Sequence, residues 1–218
     1  MKKLFLLLSF SLLIIQCKKE NKLLTKKTST TSSKIKYAKG FDIISNGNQQ
    51  KLIIKKTFYN DIDTLVYLVS NKTNIANNEI KIPIEKLVAT STTHIPMLEL
   101  LASENKLIGF PDTKYICSEK TRKLINTGKI IDLGNGQDMN TEILLALQPE
   151  LVVGFSLQSN NKVYNNIQKA KIPVIFNGDW LEETPLGRAE WIKFFGVLLD
   201  KQQEADSCLL YTSDAADD

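Results

Sequence analysis

Any chemistry in this chain has to be built around one imidazole. His94 closes a run of hydroxyls, Ser91-Thr92-Thr93-His94, and is the single His among 218 residues. A hydrolytic site needs a nucleophile, a base and an acid that orients the base. No G-x-S-x-G is present, and neighbours on one turn rarely reach triad geometry. A zinc or manganese site wants several His together with carboxylates, so the rest of such a set would have to come from outside this chain. Binding without chemistry is the reading left. Four further segments carry suitable groups: Phe110 to Asp112 with Tyr115 just beyond, Gly134-Asn135-Gly136, Phe155-Ser156, and Asn177 to Trp180. They offer hydroxyls, amides, aromatics and glycines with few charges. Trp180 reads equally as a ligand anchor or as the edge of a core, and so does Tyr115. Gly134 to Gly136 reads first as a tight turn.

Each of these segments follows a short apolar run. The runs begin at Leu87, Leu107, Ile130, Leu151 and Ile172, at steps of 20, 23, 21 and 21 residues. That step accommodates a strand, a loop, two or three helical turns and a loop back. Near-continuous apolar strands alternating with helical patterns predict a parallel sheet covered on both faces. Ligands of such sheets sit beyond the carboxyl ends of the strands, where the candidate segments fall. The predicted fold class is therefore α/β, a doubly wound, mainly parallel sheet over residues 83–184.

Helix ends are marked. Ser118 caps a helix through Ile125 that Gly128 stops, and Asn140 caps the next, with Glu142 in its first turn and Pro149 after its end. Val163, Ile167 and Ala170 form the apolar stripe of a third. Thr184 and Pro185 open a longer helix predicted to run through 185–207, with Trp191, Ile192, Phe194, Phe195, Leu198 and Leu199 on a broad buried face. Ahead of the sheet, residues 41–82 alternate apolar and polar. Phe41-Asp-Ile-Ile, Lys51-Leu-Ile-Ile-Lys and Thr64-Leu-Val-Tyr-Leu-Val read as strands of a small antiparallel addition.

The two ends differ in kind. Residues 1–16 have a basic start and an apolar run too short to span a bilayer, the shape of an export signal. Cys17 then follows Leu-Ile-Ile-Gln, which resembles a bacterial lipobox whose Cys is lipidated; Gln departs from the usual small residue there, and an ordinary cleaved signal is the other reading. Residues 17–40 hold eight Lys against one Glu, a composition that cannot bury a core and that reads as a disordered tether. Export makes a nucleic-acid arm improbable. The formal net charge of +4 resides in these ends, because residues 41–207 carry 18 basic against 20 acidic side chains. Residues 208–218 resemble the translation of a sequencing-library adapter. They are expected to pack against nothing, with the natural chain continuing past Ser207. Cys117, without an internal partner, is expected to be buried and unreactive.

From Lys81 to Asp206 the chain resembles the iron-siderophore and cobalamin substrate-binding proteins of ABC importers. The likeness rests on Val88-Ala-Thr-Ser-Thr-Thr-His94, Leu107-Ile-Gly-Phe110, Ile131-Asp-Leu-Gly134, Met139-Asn-Thr-Glu142 and Leu147-Gln-Pro-Glu-Leu-Val-Val-Gly154. It implies two α/β lobes joined by one helix, with residues 185–207 as the start of that helix and the second lobe absent. It implies no enzymatic activity and no resident cofactor. The ligand would be a ferric siderophore or related chelate, with cobalamin possible, held at Ser91, Thr92, Thr93, His94, Phe110, Tyr115, Asn135, Phe155, Asn177 and Trp180. Glu142 matches the family's permease-docking glutamate, although any first-turn acid also satisfies the helix dipole. The implied partners are an ABC permease and its ATPase, with the membrane reached through a lipid on Cys17. The protein would be exported and face the periplasm. A sensor or structural lipoprotein of the same fold is the alternative, and the neighbouring genes would separate the two.

Overall fold

A computed structural model describes residues 34–46, 49–55, 64–72, 79–136, 138–155 and 161–217. The signal, Cys17 and the tether up to Ser33 lie outside the described residues, as do Ser156 and Gly47-Asn48 of the first hairpin. Two sheets form. The first contains β1 (Phe41–Asn46), β2 (Gln49–Ile54), β3 (Leu65–Ser70) and β4 (Glu79–Lys81) in that order. The first three strands pair antiparallel, Phe41 opposite Ile54 and Gln49 opposite Ser70. β4 instead runs parallel to β3, so the addition is mixed rather than purely antiparallel.

The second sheet is wholly parallel, in the order β7-β6-β5-β8-β9. Its strands are β5 (Leu87–Ala89), β6 (Leu107–Phe110), β7 (Ile131–Asp132), β8 (Leu151–Gly154) and β9 (Val174–Phe176). All five predicted runs become strands of one sheet. Successive side chains on a strand point to opposite faces, and the core divides accordingly. Leu87, Ala89, Leu151 and Val153 enter one apolar cluster. Val88 and Val152 enter the other. The first cluster is filled by α1 (His94–Leu100), α6 (Ile192–Leu198) and the small sheet, with α2 (Glu119–Asn126) packed against it. The second is filled from α3 (Thr141–Leu147) and α4 (Lys162–Lys169). Burial on both faces is why these strands read as apolar runs rather than alternations.

The predicted caps hold. Ser118 accepts from Thr121 N–H at 3.3 Å, Asn140 from Ile143 N–H at 3.0 Å, and Thr184 from Gly187 N–H at 3.0 Å. The long final helix does not. It divides into α5 (Pro185–Glu190), α6, and α7 (Gln202–Asp217). α6 ends where Asp200 adopts φ 56° and Lys201 N–H bonds back to Gly196 O at 2.7 Å. The apolar run continues through this break, so periodicity alone conceals it. The expectation that the segment from Cys208 packs against nothing is overturned at its first two residues. Ala205 and Leu209, four residues apart on α7, are both buried, and Cys208 packs against the first cluster. A Cβ on Gly196 would lie 2.8 Å from that of Ala205, so the approach of α7 to α6 requires glycine there. Cys117 is exposed rather than buried, its thiol directed at Tyr115 O, 3.7 Å away.

The tether boundary moves as well. Residues 34–40 are strapped to the lobe through two buried carboxylates. Glu190 accepts the main-chain N–H of Lys36 at 2.9 Å and of Ala38 at 2.8 Å, and also that of Tyr37. Glu182 accepts those of Lys39 at 3.0 Å and Gly40 at 2.7 Å, together with the Trp191 indole N–H at 3.1 Å. Lys193 reaches Glu190 at 3.2 Å and the Lys34 carbonyl at 3.1 Å. Composition marks residues 34–40 as tether because the donors are main-chain groups, which every residue type carries.

Candidate functional site

Because the larger sheet is parallel, the turns after its five strands emerge on one edge. Along that edge they follow strand order: Gly134 to Gly136, Phe110 to Tyr115, Thr90 to Thr93, Phe155, and Asn177 to Leu181. The order reverses beside β5, which is where a crevice opens in a doubly wound sheet.

Seven of the ten predicted ligand residues present some surface here. Thr92, Thr93, Tyr115 and Asn135 are exposed, and Ser91, Phe155 and Trp180 are half-buried. Phe155 and Trp180, from adjacent strand ends, stand edge to face with ring centroids 5.6 Å apart. Such pairs hold orientation as well as area. The Trp180 indole N–H is buried and finds no acceptor among the described residues. Ser91 and Thr93 hydroxyls bond each other at 2.8 Å. Tyr115 ends a 3-10 turn with Lys114 Nζ 5.0 Å from its ring centre.

The turns after β6 and β7 are tied together. Asp112 N–H bonds Gly134 O at 2.7 Å, and Gly136 N–H bonds the Asp112 carboxylate at 2.9 Å. The Gly136 N–H, and then Lys114, hold the Asp112 carboxyl below its usual range. Asp132 accepts from Gly134 N–H at 2.7 Å and from the Thr113 hydroxyl. Both acids are therefore tied into shaping the turns, and Lys114 pairs with Asp112 at 3.1 Å.

Three predicted residues lie beneath the edge instead of on it. Phe110 is the inward-facing end of β6 and is buried. Asn177 is buried as well and folds back to accept Asp179 N–H at 2.8 Å, which makes it a turn former. His94 opens α1, is fully buried, and packs on Phe195 at 5.4 Å between ring centres. Burial pushes its imidazole down to about 4, against a weaker opposing pull from Asp179. A neutral buried imidazole has a consequence for pH. The unfolded chain binds the extra proton below its ordinary value of 6.5 and the folded chain only below about 4. Stability is therefore full above that upper value, falls as pH drops through the window, and loses about 3 kcal/mol in all. Thermal melts from pH 7 to pH 4 should show this slope for wild type and a flatter one for His94→Phe.

Glu142 is exposed in the first turn of α3, beside the half-exposed Ile143. α3 follows β7, so its start lies at the same edge as the candidate turns. Sequence reasoning passed over Thr90 and Tyr164, whose hydroxyls bond each other at 3.0 Å under Phe155. Of the predicted α4 stripe of Val163, Ile167 and Ala170, Ile167 is buried and Val163 packs half-buried on the second cluster, but Ala170 is exposed and the other buried residue is Tyr164. The signal available was Tyr164 three residues before Ile167, a helical spacing as good as the one chosen.

Comparison with known proteins agrees with this architecture. A family model described as periplasmic binding protein matches residues 87–214. Two uncharacterized lipoproteins of Methanocaldococcus jannaschii are each 25% identical, over 209 and 218 residues, covering 80% and 89% of this chain. The chain spans about half the length of these curated relatives, 50% and 55% respectively. Among solved structures, a periplasmic binding protein from Veillonella parvula matches 84% of this chain and 53% of its own, with TM-score 0.52 and 16% identity. The siderophore-binding protein BauB, bound to acinetobactin and ferric iron, matches 75% of this chain and 51% of its own, with TM-score 0.51 and 18% identity. Among the described residues no helix is long and apolar enough to cross a membrane.

Proposed function

The chain belongs to the periplasmic binding protein family, and from that premise we propose that it is the lipid-anchored, substrate-binding component of an ABC importer. Its ligand on this reading is a ferric siderophore or related metal chelate, handed on unchanged to a permease with its ATPase. The observation that supports it most is the Phe155–Trp180 pair on a hydroxyl-bearing strand-end edge. Bulky chelates present apolar and aromatic surface with a few polar atoms, and concave sites for such ligands combine aromatic walls with a small number of placed hydrogen-bond groups. BauB holds a ferric siderophore complex on the same fold. The lipoprotein relatives and the Cys17 motif support the anchor.

The test is the tryptophan emission of the full chain during titration. Trp191 is fully buried in the core, so a ligand on the edge acts on Trp180. Ferric tris-hydroxamate, ferric tris-catecholate and cobalamin should be compared with free zinc. Saturable quenching by a ferric chelate, lost in Trp180→Leu, is expected. Quenching by zinc alone, or by none of the four, would count against the reading.

A further inference from the structure

Phe155 is held from beneath by hydrogen bonds to two side-chain hydroxyls. Its N–H donates to the Thr90 hydroxyl oxygen at 2.7 Å and lies 3.2 Å from the Tyr164 phenol oxygen. Its carbonyl accepts from the Tyr164 phenol at 2.7 Å. The Tyr164 proton is thereby committed, and the Thr90 hydroxyl can donate to the phenol oxygen at 3.0 Å or to Val153 O at 3.4 Å. Tyr164 is 3% exposed, its ring edge-on to Phe176 at 5.2 Å. A Cβ on Gly154 would come within 3.2 Å of the Tyr164 ring and 3.1 Å of Phe176, tighter than ordinary contact, so glycine before Phe155 leaves room for the phenol to approach this peptide.

Three different elements meet here: the turn after β5, the end of β8 and α4. Among the described residues, secondary structure alone leaves the Phe155 N–H and C=O without a ladder partner. The two side chains supply those partners, and in doing so they determine where the Phe155 ring stands relative to Trp180. We propose that Thr90 and Tyr164 are positioning residues for the ligand edge, holding Phe155 edge-on to Trp180 so that the aromatic pair is ordered before the ligand arrives. The proposal rests on the chelate-binding reading for its consequence, though not for its geometry. A side chain ordered in advance loses less freedom on binding.

The variants are Tyr164→Phe, which keeps the ring and removes the bond to Phe155 O, Thr90→Val, which removes the hydroxyl at constant shape, and Thr90→Ser, which keeps it. Two readouts separate the inference from the function it serves. Acrylamide quenching of ligand-free full chain reports cover over Trp180, because Trp191 is inaccessible. It should rise in Tyr164→Phe and Thr90→Val and stay at the wild-type value in Thr90→Ser. Affinity for the tightest of the three chelate and corrin probes should fall about three- to tenfold in the first two variants and be restored in Thr90→Ser. A lower melting temperature with unchanged quenching would show a merely structural role and overturn the proposal. So would a Thr90→Ser that behaves like Thr90→Val. If wild type binds none of the probes, the ligand reading fails, and the quenching comparison still decides the positioning role.

Discussion

Replacing Glu142 by Arg is expected to stop ligand uptake in cells while leaving the affinity of the purified protein for its chelate unchanged. Glu142 is exposed in the first turn of α3, apart from the Phe155–Trp180 pair and outside every hydrogen bond that shapes the edge. If its carboxylate meets permease arginines, reversing the charge sets like charges face to face, which costs several kcal/mol and prevents productive association. Removing a first-turn acid costs the helix only about 0.3–1 kcal/mol, and Asn140 still caps it. Transport and folding therefore separate. Uptake in cells, measured beside the melting temperature and chelate affinity of the full chain, checks both. Normal uptake with the Arg variant would leave Glu142 as an ordinary helix-start residue.

The largest effect on stability is expected at Glu190. This fully buried carboxylate takes three consecutive main-chain N–H groups, of Lys36, Tyr37 and Ala38, and faces Lys193 at 3.2 Å. Three successive amides converging on one anion form a nest-like site, here filled by the chain itself. Glu190→Ala leaves those three main-chain donors without their acceptor, while Lys193 keeps the Lys34 carbonyl at 3.1 Å and Asp206 at 3.3 Å. A buried donor left unsatisfied costs about 1–3 kcal/mol, so losing the shared acceptor of three donors removes a large part of the 5–15 kcal/mol that holds a typical domain. Glu190→Gln keeps an acceptor oxygen and should lose less. Chemical denaturation of the two variants beside wild type measures the difference. Trypsin gives an independent check, because Lys36 and Lys39 should become cleavable in Glu190→Ala before the core melts. Equal stability of wild type and Glu190→Ala would mean that the strap contributes nothing to the fold.

What the sequence made legible follows from which interactions leave a periodic trace. The five strands were readable because Leu87, Leu107, Leu151 and their neighbours are buried on both faces, which writes an apolar run into the chain. Caps at Ser118, Asn140 and Thr184 were readable because the side chain that accepts the hydrogen bond is itself the signal. The break between α6 and α7 was not, since Asp200 adopts positive φ with no glycine or proline to announce it. The strap at residues 34–40 was hidden for the complementary reason. Its partners, Glu182 and Glu190, lie about 150 residues away in sequence, at separations of 142 to 154. At the site, the edge could be located because strand ends locate it. Which residues face outward could not, as His94, Phe110 and Asn177 turn under through local geometry. The hydroxyl pair beneath Phe155 joins Thr90 to Tyr164 across 74 positions, a contact only the folded sheet creates.

The central claim is that this chain, as a member of the periplasmic binding protein family, captures a metal chelate and does no chemistry on it. Equilibrium dialysis of the full chain against the iron-labelled ferric chelates, followed by mass analysis of what is recovered, tests this most directly. One intact chelate retained per chain, with dissociation at or below about 1 μM and loss of retention in Trp180→Leu, is the predicted result. Recovery of a cleaved or reduced ligand, or retention of none of the chelates by a correctly folded full chain, would contradict it.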